Sequence, residues 1–104
     1  MTIEMIKHSV IRILLNKLCE SWDVRNELKR MVGDRMQARW DCKALSEAIL
    51  ILIKIEPNKL PDIKQALFEE FKTDRFHYQK EEEVLIFYAI YKVKRIVNDI
   101  LSHY

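Results

Sequence analysis

The chain has 104 residues, a net charge of +2 and 33% charged residues of mixed sign, an ordinary water-facing surface that lacks the strongly basic footprint of a dedicated nucleic-acid binder. One glycine and two prolines, where average usage gives about seven and five per hundred residues, argue against a sheet protein joined by tight turns. With 49% hydrophobic residues, a chain this long buries about two-thirds of its unfolded surface, so one unstapled domain over 1–104 is expected.

The first segment, residues 2–21, places Ile3, Ile6, Val10, Ile13, Leu14, Leu18 and Trp22 at intervals of three and four. That is one face of a helix. Lys7, Arg12 and Lys17 fall on the opposite side, with His8 solvated among them. Ser21 and Asp23 offer caps for a second helix carrying Val24, Leu28, Met31 and Val32 inward, with Arg25, Glu27, Lys29 and Arg30 toward water. Gly33 is its expected stop, since a C′ residue commonly needs positive φ. Asp34 can cap a restart through Met36 to Trp40, and the pattern allows either one helix or two over 24–40.

Asp41 can cap the next segment, 42–55, where Leu45, Ala48, Ile49, Leu52 and Ile55 share a face. Residues 48–53 are all apolar and isoleucine-rich, which makes them the best strand candidate in the chain. The helical composition of 43–47 runs into them without a turn and favours helix. Pro57 and Pro61 mark a loop, and Pro61 suits the first turn of a helix over 61–72 with Ile63, Ala66, Leu67 and Phe71 inward. The final helix, 79–102, is expected to be the longest. It has Glu81, Glu82 and Glu83 in its first turn and Lys92, Lys94 and Arg95 further along. Its inner stripe is Ile86, Ala89, Ile90, Val93, Val97, Ile100 and Leu101.

No residue pattern names a reaction. His8, His77, His103, Cys19 and Cys42 show none of the local spacings that preorganise a metal site on adjacent helical turns. Both cysteines are expected as small core residues. No nucleophile elbow is present, and one glycine cannot build a phosphate loop. The acidic runs at 69–70 and 81–83 point in divergent directions along a helix and read as solvated faces rather than acid/base pairs. No cofactor, metal or small-molecule substrate is implied, and no enzyme is expected.

Two clusters stand out as surfaces for recognition. Arg35, Arg39 and Lys43 align at i, i+4, i+8 with Trp40 beside them, inside a basic group that starts at Arg25. Such a ridge can meet phosphates, with the indole free to stack. Phe76 and Tyr78, with Phe71 and His77, bracket a short connector, where they either plug the end of a bundle or form an interface hot spot.

The sequence therefore predicts an all-α, single-domain bundle of four or five helices with antiparallel neighbours, the first and last helices forming its main packing. An α+β fold built on 48–55 and 84–93 is the alternative. The expected role is a small protein-interaction or regulatory module without catalytic activity, contacting another protein or a second copy of itself through Arg35, Arg39, Trp40, Lys43, Phe76 and Tyr78. Nucleic-acid binding through the ridge at 25–43 is the alternative. No signal-like or membrane-spanning apolar run is present, which makes the cytoplasm the expected location.

Overall fold

A computed structural model describes residues 1–27 and 31–104. Leu28, Lys29 and Arg30, read above as parts of a second helix and of the basic group, lie outside the described residues. Helix makes up 82% of the described residues, and no strand occurs among them. The helices are α1 (Ile3–Asn26), α2 (Val32–Lys54), α3 (Leu60–Glu70) and α4 (Glu83–Leu101), with 3₁₀ turns at Thr73–Arg75 and Lys80–Glu82. The isoleucine run 48–53 lies within α2, with Ala48, Ile49, Ile51 and Leu52 in the core and Leu50 and Ile53 exposed rather than buried nearly all round, so the α+β alternative is set aside.

The first breaks fall elsewhere than the capping residues suggested. α1 runs on through Ser21 and Asp23 to Asn26, and α2 begins before Gly33 and continues unbroken past Asp41. A Ser or Asp permits a helix start without compelling one. Gly33 has no positive φ and sits in the first turn of α2 rather than just past the C-terminus of a preceding helix. α1 starts as its sequence asks: the Thr2 hydroxyl accepts from the Met5 N–H at 3.1 Å. At the start of α3 the Asp62 carboxylate accepts from the N–H groups of Asn58 and Lys59, at 2.9 and 3.1 Å.

α2 is the central rod. It packs against α1, α3 and α4, whereas α1 and α4 touch little, which corrects the expectation that the first and last helices make the main packing. At 19 residues α4 is also shorter than α1 and α2, at 24 and 23, and residues 80–82 before it wind as 3₁₀. Contacts give the directions. Lys7 reaches Ile55, and Lys17 and Ser21 lie beside Asp41 and Leu45, so α1 and α2 are antiparallel. Leu60 and Pro61 at the start of α3 meet Leu101 and Ser102 at the end of α4. α2 and α4 run the same way, with Gln37 donating to the Leu85 carbonyl and Lys92 paired with Asp41.

The core is continuous, from Val10 and Leu14 on α1 through Ile51 and Leu52 to Ile63, Phe71, Ile86 and Val97. Lys7 is the exception to the polar-side reading of α1. It is 5% exposed, and its ammonium donates to the Ile55 carbonyl at 3.0 Å while pairing with Glu4 at 2.9 Å. The contact satisfies a carbonyl just past the end of α2, where the helix dipole favours a cation. His8 beside it is exposed, as expected.

Candidate functional site: a groove along α2

A groove of about 770 Å³ runs between the second half of α1, the middle of α2 and the connector at 75–77. Its position follows from helix geometry. α4 packs on the side of α2 that carries Gln37, Asp41 and Leu45. Lys43 and Ser46 lie roughly half a turn of the helix away and face the groove. Past Leu14 no described residue of α1 is fully buried, because that half of the helix has α2 behind it and little else. Leu18, Cys19 and Trp22 are left as one wall.

Trp22, expected on the inner stripe, is 52% exposed. A stripe spaced by threes and fours drifts about 20° per heptad around a straight helix, so its far end turns out of the seam. The Arg25 guanidinium lies 5.0 Å from the centre of the Trp22 ring. Across the groove, the Lys43 ammonium lies 4.4 Å from the centre of the Trp40 ring. Each cation gains from the electron-rich face of an indole. Two cation-topped indoles therefore stand on facing helices of one cleft.

Trp40 itself is not a free stacking surface. It is 3% exposed, and its indole N–H donates to the Glu82 carboxylate at 2.7 Å. Phe76 and Tyr78 meet its ring edge-to-face at centroid distances of 6.4 and 6.5 Å, and Phe76 also meets Phe71 at 6.3 Å. Both connector aromatics are half-buried against the core and close the end of the bundle. The connector is tied down by Arg75, which pairs with Glu47 of α2 at 3.0 Å and with Glu70 of α3 at 3.6 Å.

The three ridge cations diverge. Steps of four residues advance about 40° around the helix, so Arg35 and Lys43 stand about 80° apart. Lys43 is in the groove, Arg39 is exposed on the outer face of α2, and Arg35 is half-buried with its Nε unpartnered. Of the six predicted contact residues, the groove gathers Trp40, Lys43 and Phe76; Arg35, Arg39 and Tyr78 do not line it. No family model, curated protein or solved structure matches this chain, so the site is read from its own residues.

The cysteines separate as well. Cys42 is buried and Cys19 is exposed, although both line the groove. Burial pushes the Cys42 thiol above its ordinary range, with Asp41 adding to the shift and Arg25 opposing it. Among the described residues no group of three or more His, Cys, Asp or Glu gathers into a metal cage. Nor is any helix among them long and apolar enough to cross a membrane. What the groove offers is an apolar floor, two cation-topped rings and a braced end wall, which suits reversible recognition.

Proposed function

We propose that this chain is a small cytoplasmic protein-interaction module without chemistry of its own, whose groove receives an amphipathic helical segment carrying acidic side chains. The observation behind the reading is the pair of cation-topped indoles, Arg25 on Trp22 and Lys43 on Trp40, flanking an uncovered apolar floor. A helical guest suits a surface made of helices, because interhelical grooves take the apolar face of another helix in ridges and pockets. Acidic residues on that guest would meet Arg25 and Lys43 at the rim, where charge sets partner choice and encounter rate. The exposed thiol of Cys19 fits a reducing compartment.

The test is a fluorescence-anisotropy titration with labelled amphipathic helical peptides of identical apolar face and either net negative or net positive charge. Acidic peptides are expected to bind, salt to weaken them, and the double variant Arg25→Glu/Lys43→Glu to reduce affinity on the order of ten-fold or more. Equal binding of both peptide types, or indifference to the double variant, removes the reading. The same titration with single-stranded and duplex oligonucleotides tests phosphate recognition at 25–43. That alternative has lost Trp40 as a stacking platform, since its ring is enclosed by Phe76, Tyr78 and Glu82.

A further inference from the structure

On the far side of the molecule from the groove, α4 turns an apolar stripe to solvent. Val84, Phe87, Tyr88 and Tyr91 are 75, 54, 52 and 57% exposed. Their spacing of i, i+3, i+4 and i+7 puts all four on one helical face, the pattern with which helices anchor on one another. The inner stripe of the same helix is already satisfied, with Ile86, Ala89, Ile90, Val93 and Val97 buried in the core. α4 is thus apolar on two faces, of which one is covered within the chain.

We propose that this outer face of α4 pairs two copies of the chain, antiparallel, about a two-fold axis near Tyr88.

The charges around the stripe favour a second copy over an unrelated partner. Glu81 stands seven residues before Tyr88 and Arg95 seven residues after it, and both are exposed. Arg95 lies two helical turns, about 10.5 Å of axis, beyond Tyr88, and Glu81, in the 3₁₀ turn that leads into α4, lies a comparable distance before it. A two-fold axis there brings Glu81 of each copy against Arg95 of the other and lays Phe87 on Tyr91. The same operation brings Glu83 toward Lys94 on the opposite flank, eleven residues apart and within about 20° on the helix surface. A parallel arrangement would instead set acid against acid and base against base. Like charges across an interface cost enough to select the direction.

Lys94 adds support. Its ammonium lies over Phe68 at 5.2 Å from the ring centre, and burial, helped by the nearby Lys72, disfavours its charged form. A carboxylate arriving from a second copy would relieve that penalty. Phe68, 56% exposed on α3, continues the apolar surface at this edge. The pairing uses no groove residue, so it stands or falls separately from the function proposed above.

Sedimentation velocity of the full chain across a concentration series tests it, with far-ultraviolet circular dichroism confirming that each variant stays helical. The wild-type chain is expected to move from monomer to dimer as concentration rises, and Phe87→Glu to abolish the dimer. Arg95→Glu and Glu81→Arg, both at exposed positions, are each expected to weaken it on the order of ten-fold, because each sets like charges opposite one another twice. Mixing the two variants should restore association, since each supplies the charge the other lacks. A wild-type chain that stays monomeric, a dimer indifferent to Phe87→Glu, or a mixture no tighter than its components would each overturn the proposal. So would a dimer lost only with Arg25→Glu/Lys43→Glu, which would place the contact in the groove.

Discussion

At the scale of single residues, Cys19 and Cys42 line the same groove and are set apart by solvent contact. Folding holds the Cys42 thiol protonated by burying it, so the stability this group contributes is present at neutral pH and fades as the pH climbs past the ordinary thiol range. Lys94 works with the opposite sign. Its charged form is penalised in the fold, so the penalty is lifted as the pH rises through its lowered value. Alkylation followed by mass spectrometry reads the first effect: one adduct, on Cys19, is expected from the native chain between pH 7 and pH 9, and a second only in denaturant. Rapid double labelling of the native protein would contradict the burial of Cys42. Individual roles were only partly legible beforehand. Phe71 and the inner residues of α4 follow from spacing alone. Lys7 does not, because nothing in its neighbours announces that a carbonyl 48 residues away will need a donor. Trp40 misled for a related reason, its partner Glu82 being brought in by the fold.

At the scale of elements, α3 and α4 begin where local chemistry directs, at Pro61 and within the glutamate run. The junction of α1 and α2 was harder to read. Ser21, Asp23, Gly33, Asp34 and Asp41 all carry boundary chemistry, yet the described structure makes every one of them helical. α1 ends instead at Asn26 and α2 begins at Val32, neither of them Gly or Pro. Gly33 therefore meets no conformational demand that only glycine could satisfy. Its φ is not positive, and a Cβ added there meets nothing within 4 Å. Gly33→Ala is expected to stabilise the chain by about 0.5 kcal/mol or slightly more, helical alanine being favoured over glycine. Urea unfolding monitored at 222 nm would show it as a raised midpoint. A lowered midpoint would restore Gly33 to the role of a helix stop.

For the whole molecule, the all-helical architecture was fully readable from periodicity and from the scarcity of Gly and Pro. The groove was not. Its walls come from residues at 18–25, 40–47 and 75–77, and only the antiparallel register of α1 and α2 brings the first two sets level. The fold extends 42 × 26 × 20 Å and exposes 6991 Å², more than the roughly 6,200 Å² expected for this mass. The excess fits an elongated shape with a cleft along it. The two tryptophans offer a direct check. Trp22 is exposed and Trp40 enclosed, so iodide should quench part of the emission and leave a blue-shifted remainder. Trp22→Phe should remove most of the quenchable part. If quenching persists undiminished in that variant, Trp40 is open to solvent and the closed end of the groove is wrong.

α2 carries the cleft on one side and α4 on nearly the opposite side, so the two surfaces do not compete for space. Two chains joined through α4 would hold their clefts back to back and facing outward, as a clamp with two jaws. A target bearing two acidic helical segments, on a tether long enough to span both jaws, would then be held far more tightly than either segment alone, by effective concentration rather than by any new contact.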